Sequence, residues 1–163
     1  MSKAVDANRM ASWRAALGVI IAAGIAGGVV DAIYFSTMSL LNGRSPIAVL
    51  QGIASFWRGA ATRNGGVASA AIGLATHFGL ATVMAGGYFV IAKMISPFRR
   101  RPLAFGTVYG ILLYGVMYFI VLPQRWPALY PRFDGARSFL DIGAHVGVGI
   151  AIAGVVSTAL SSR

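Results

Sequence analysis

Four ionisable side chains fall inside long apolar runs of this 163-residue chain: Asp31, His77, Asp141 and His145. A carboxylate near the centre of a membrane helix costs about 2.5–3.5 kcal/mol on insertion scales, so these positions are either buried hydrogen-bonding groups or a site. Several chemistries use this set. Asp and His at one depth form proton or ion paths, or bind a small polar ligand. His77 and His145 on different helices are the minimum for holding one b-type haem, and Gly73 and Gly149, one turn away from each, would make room for its flat ring. Asp31, His77 and His145 together offer the oxygen and nitrogen donors of a divalent-metal site. Asp141 precedes His145 by four residues, so its carboxylate is expected to accept the imidazole N–H and fix the tautomer. Tyr34 and Tyr118 are expected to complete the polar layer. The simplest reading is that Asp31 hydrogen-bonds one or both histidines and ties helices together.

These residues need elements to carry them. Four runs of about 20 or more mostly apolar residues are long enough to cross about 30 Å of hydrocarbon. They are residues 15–41, 67–95, 103–122 and 139–160, following an amino tail at 1–14. Counted from the ends of these runs at 1.5 Å per residue, Asp31, His77 and His145 lie about 9–15 Å below the same boundary. Asp141 sits one turn shallower. Asp31 shares a stripe with Gly24, Gly28 and Phe35, which points it inward. Between the first two runs, Ser45 and Pro46 read as the cap and first turn of a short helix over 46–58. Ile47, Leu50, Ala54 and Trp57 fall near one of its faces, the pattern of an amphipathic helix lying in the membrane interface. The expected fold is therefore all-α, an integral membrane bundle of four transmembrane helices with one interfacial amphipathic helix.

Composition agrees. Hydrophobic residues make up 57% and charged residues 11%, with a mean hydropathy of +0.73. An average soluble domain carries about 25% charged residues, so this chain cannot clothe a water-facing surface. The net charge of +10 comes from Lys and Arg between the apolar runs, where they set topology and meet anionic headgroups. That placement argues against nucleic acid as a partner and for the lipid bilayer. With no cysteine, disulfides, thiolate catalysis and Cys-type metal sites are excluded. The first apolar run is longer than the core of a signal peptide and reads as a retained helix.

Lys3, Arg9, Arg14, Lys93, Arg99, Arg100, Arg101 and Arg163 fall on the side of both termini, eight against six on the other side. Both termini are thus expected in the cytoplasm. Arg99, Arg100 and Arg101 form a dense turn, read as a topology anchor or a site for anionic lipid headgroups. Glycines four apart (Gly24/Gly28, Gly106/Gly110 and Gly143/Gly147, with Gly73, Gly79, Gly86 and Gly87 on the second run) let backbones approach closely. Such strips serve packing within the bundle, or else a homo-oligomer or larger membrane complex. No Ser-His-Asp elbow, HExxH, Walker loop or GxGxxG is present, so no catalytic residue is nominated and an enzyme is not expected.

The segments Val49–Ser55, Gly73-Leu74-Ala75-Thr76-His77-Phe78, Gly106-Thr107-Val108-Tyr109-Gly110 and Leu122-Pro123, with His145 in the last run, resemble a bacterial family of small four-helix inner-membrane proteins. The resemblance implies a multi-pass protein of a bacterial inner membrane. It brings no activity. The functional expectation is a buried Asp/His site in a small transport or channel-like element or an accessory subunit, with a haem redox module or a purely structural subunit as the rivals.

Overall fold

A computed structural model describes the backbone of residues 2–161 and the side chains of residues 12–161. Lys3, Arg9 and Arg163, which enter the count of basic residues, have side chains outside those described. Among the described residues seven helices follow one another: α1 (Ser2–Leu41), α2 (Pro46–Arg58), α3 (Gly66–Met94), α4 (Ser96–Arg100), α5 (Pro102–Val116), α6 (Leu122–Arg125) and α7 (Gly135–Ser161). A 3-10 turn, Ala60–Asn64, leads into α3, and a π-turn, Met117–Val121, joins α5 to α6. No strand occurs among the described residues. Among the described residues four stretches are long and apolar enough to cross a membrane: Ser12–Leu41, Gly66–Met94, Pro102–Arg125 and Gly135–Ser161. The protein is an all-α membrane bundle.

Two helix bounds differ from the sequence reading in ways that matter. The last span starts at Gly135, four residues before the expected Phe139. Asp134 closes that start, its carbonyl accepting from Arg137 N–H and its own N–H donating to Ser138 Oγ, while Gly135 takes φ +46°, a conformation that favours glycine. His145 therefore lies ten residues into α7, matching Asp31, ten residues from the end of α1. The third span continues past Leu122 to Arg125 through the π-turn. Pro123 has no N–H to give and crowds the preceding carbonyls, and widening the turn just before it relieves both.

Neighbouring spans run antiparallel, and glycine sets how close they come. A side-chain carbon on Gly24 would lie 2.6 Å from the Thr82 backbone, and one on Gly28 2.6 Å from the Phe78 ring. That joins α1 to α3 as the Gly24/Gly28 spacing predicts. Gly106 and Gly110 seat α5 on α7 in the same way. On α7 the expected strip shifts: Gly143 meets nothing within 4 Å, and the glycine pressed into α5 is Gly149, 2.2 Å from the Gly106 carbonyl oxygen by the same measure. Without a hydrophobic drive between helices in lipid, such contacts carry the association.

The lower half of the bundle, nearest α4, is densely filled. Tyr88, Ile152, Val156, Ala85 and Ala92 are fully buried. Tyr88 donates its hydroxyl to the Phe98 carbonyl at 2.9 Å, and Tyr109 donates to the Met84 carbonyl at 2.7 Å. Large apolar side chains such as Ile33, Val83 and Ile111 point outward, as a lipid-facing surface requires. Arg100 and Arg101 are exposed in the α4 turn, with Arg99 partly covered. At the upper end, α2 is capped as expected, with Ser45 Oγ accepting from Ile47 N–H at 3.2 Å. Its Leu50 backbone lies directly on Gly73 of α3. Leu50 and Ala54 turn toward the bundle, whereas Ile47 and Trp57 are exposed.

This packing predicts a contrast between two glycines. Gly149→Ala should lower stability by at least about 2 kcal/mol, because the new carbon meets only backbone atoms. Gly79→Ala, where nothing lies within 4 Å, should be neutral or stabilising by up to about 1 kcal/mol through helix propensity. Reversible unfolding in mixed micelles, followed by circular dichroism, measures both.

Candidate functional site

The close approach of α1 and α3 at Gly28 brings His77 to the α1 main chain. His77 Nε2 lies 2.9 Å from the Gly28 carbonyl oxygen. A carbonyl only accepts, so Nε2 carries the proton and donates. The other ring nitrogen, Nδ1, faces Asp31 Oδ2 at 3.7 Å. The His77 side chain is 9% exposed and that of Asp31 31%. Phe35 and Phe78 hold the imidazole edge-on, with ring centroids at 5.4 and 5.1 Å.

This geometry has a chemical consequence. With Nε2–H fixed, neutral His77 turns the Nδ1 lone pair toward the carboxylate. An ionised Asp31 would then set lone pair against lone pair. A proton on Nδ1 would convert that contact into an ion pair.

A second couple joins α1 to α7. Tyr34, one turn above Asp31, donates a short hydrogen bond to Asp141 Oδ1, and Arg137 Nε contacts the same oxygen at 3.4 Å. Asp141 is only 7% exposed, so its charge depends on these partners. His145 does not use that carboxylate. Its Nδ1 lies 2.8 Å from the Asp141 carbonyl oxygen, so Nδ1–H donates to the backbone and Nε2 is left as the acceptor. The i−4 position was the right partner, but the atom is the main-chain oxygen, because an imidazole on a helix reaches back one turn to the carbonyl row. Tyr118 and Tyr114 pack edge-on against the His145 ring at 5.8 and 5.6 Å. The two histidines are thus held as opposite tautomers.

The expected layer therefore exists as two couples carried by α1 rather than one cluster. Asp31 takes His77, and Tyr34 takes Asp141. Among the described residues no three of His, Asp, Glu or Cys converge as a metal requires, so the Asp31–His77–His145 metal set does not assemble. The room proposed for a haem is also filled. Gly73 is covered by the Leu50 backbone and Gly149 by Gly106 and Gly110, and His77 Nε2 is engaged by Gly28. Sequence reasoning missed the Gly28 carbonyl and Arg137. Arg137 stands four residues before Asp141, a spacing that was there to be read.

Two cavities meet at this layer. One, about 570 Å³, opens at the upper end and is lined by Arg44, Tyr130, Arg132, Asp134, Arg137 and Asp141. The other, about 590 Å³, is apolar and is lined by Phe56, Trp57, Leu80, Met84, Val121 and His77. Asp31, Ile53, Met117, Leu122 and His145 line both. Tyr130, in the loop above, has its hydroxyl pushed up from the usual tyrosine value by burial and by the Asp141 charge. It stays protonated at neutral pH and faces the upper cavity as a neutral donor. Comparison with protein-family models, curated proteins and solved structures found no match to this chain.

Tyr34→Phe should lower stability by about 0.5–2 kcal/mol, the range of interhelical hydrogen bonds in membranes. In an Asp141→Asn background the same change should cost less than half as much. A double-mutant cycle from detergent unfolding curves reads the coupling.

Proposed function

We propose that this chain is a small proton-binding transport element of a bacterial inner membrane, with both termini in the cytoplasm, working alone or as an accessory subunit of a membrane complex. One observation carries the reading: His77 Nε2–H is tied to the Gly28 carbonyl, so Nδ1 and Asp31 face each other across 3.7 Å with a place for one proton. The couple borders two cavities, one of them lined by Arg44, Arg132 and Arg137 of the upper end, while the buried tyrosine cluster fills the lower half. A polar cavity above the couple and a filled bundle below it fit a carrier in one of its two states better than an open channel. The groups that bear on the couple are Tyr34 on its own helix, Arg137, Asp141 and His145 from α7, and Tyr118 from the π-turn. Of these, Arg137 and Asp141 offset each other through their contact.

The buried-glue alternative makes a different forecast, so variants separate them. In vesicles loaded with a pH-sensitive dye and driven by a potassium diffusion potential, wild-type protein should move protons several-fold faster than empty vesicles. Asp31→Asn keeps the shape and a hydrogen-bonding group. It should reduce the rate at least tenfold while the protein stays folded by circular dichroism, and His77→Ala should do the same. A wild-type rate equal to that of empty vesicles, or full activity in Asp31→Asn, would remove the proposal.

A further inference from the structure

We propose that the turn joining α3 to α5 binds an anionic phospholipid, its phosphate held by the arginines of the turn and its chains lying against the apolar ends of the two spans. The inference does not rest on proton transport and concerns the opposite end of the bundle from the Asp/His couples.

Charge there is of one sign. Lys93 stands in the last turn of α3, and Arg99, Arg100 and Arg101 follow in and just after α4. The antiparallel register of α1 and α3, with Gly24 against Thr82 and Gly86 against Ile20, brings Arg14 to the level of Lys93. All of these except Arg99, which is partly covered, are exposed. The three carboxylates among the described side chains, Asp31, Asp134 and Asp141, lie in the upper half, and none of them pairs with these five cations. Asp6, the fourth acid of the chain, has its side chain outside those described. At the upper end several cations are already answered: Arg132 by Asp134 at 2.7 Å, Arg137 by Asp141 at 3.4 Å and Arg125 by the Ser55 carbonyl at 3.2 Å. The lower cations have no such partners, and an anion at the membrane surface supplies one.

The turn is also rigid, which a loop that only carries charge need not be. Pro102 bars Arg101 from a helical conformation and ends α4. The Phe98 carbonyl accepts from Tyr88 Oη at 2.9 Å and from Ser157 Oγ at 3.4 Å. The Phe98 ring lies against Tyr88 and Phe105, with centroids 5.8 and 4.4 Å apart. Residues of α3, α5 and α7 thus hold the backbone that carries the three guanidiniums. With that backbone fixed, only side chains must be ordered when a phosphate arrives. Beside the arginines, Met94 is 79% exposed and Leu103 69%. A phosphate that carries hydrocarbon chains meets both the charged and the apolar parts of this surface, whereas a free phosphate meets only the first.

Native mass spectrometry of the purified full-length protein tests this in a neutral detergent, where topology plays no part. Phosphatidylglycerol and phosphatidylcholine with the same chains are titrated separately. The first phosphatidylglycerol should bind at least about fivefold more tightly than the first phosphatidylcholine, the worth of a single basic residue at an anionic surface. That preference should shrink as salt rises. Arg99→Gln, Arg100→Gln and Arg101→Gln together should bring the two lipids within about twofold of each other, with the lipid-free thermal midpoint moved by no more than a few degrees. Should that variant not fold, Arg100→Gln with Arg101→Gln, both at exposed positions, must still at least halve the preference. Removing as many charges from the other end, by Arg44→Gln, Arg58→Gln and Arg63→Gln, should leave the preference in place. Millimolar inorganic phosphate should not displace the bound lipid. Equal binding of the two lipids, a preference that survives loss of the α4 arginines or falls equally with the upper ones, or displacement by inorganic phosphate would each overturn the assignment.

Discussion

A missing side chain at Gly28 lets α3 come close enough for His77 to reach the α1 main chain, and much of the upper bundle depends on that contact. In lipid a polar group finds no water, so each must be satisfied by the protein. His77 meets this demand by donating Nε2–H to the spare lone pair of a helical carbonyl. The ring is then fixed in place and in tautomer, and Asp31, one turn along α1, faces its other nitrogen. Tyr34, a further turn up, reaches the opposite way to Asp141. A single helix thus presents two polar groups to two different neighbours, which is why the layer is split into couples and does not close into a metal-binding cluster.

The bundle is uneven along its length for reasons that are also local. Below the polar layer, Tyr88, Tyr109, Ile152 and Val156 fill the interior, and two tyrosine hydroxyls end on main-chain carbonyls. Above it, the π-turn before Pro123 shifts the third span, and Met117 and Leu122 come to line both cavities. π-turns recur at functional positions because they re-aim side chains without ending the helix. The short helix α2, seated on Gly73, covers the cavities from above and does not fill them.

Much of this was legible in the sequence. Four apolar runs fix the number of spans, the Ser45–Pro46 pair fixes the start of α2, and Gly24 and Gly28 mark the α1–α3 contact. Common depth and inward faces were enough to select Asp31, His77, Asp141 and His145. What could not be read was which atoms meet. Both histidines use main-chain carbonyls, and every residue carries one, so residue types give no signal for that choice. Helix order around the bundle decides that Gly149, not Gly143 or Gly147, presses into α5, and spacing within one helix is blind to order. Gly73 and Gly149 looked like space for a flat ring because a glycine in sequence is the same whether it makes a void or admits another backbone.

The central claim is that His77 is held as the Nε2–H tautomer with Asp31 at its other nitrogen, and nitrogen-15 NMR of histidine tests it most directly. The chain has only two histidines, so His145→Gln assigns the spectrum. The account predicts opposite tautomers at neutral pH: Nδ1–H for His145, and Nε2 protonated for His77 with Nδ1 sensitive to Asp31→Asn. A His77 signal with Nδ1 protonated and Nε2 bare, or one unmoved by Asp31→Asn, would contradict it.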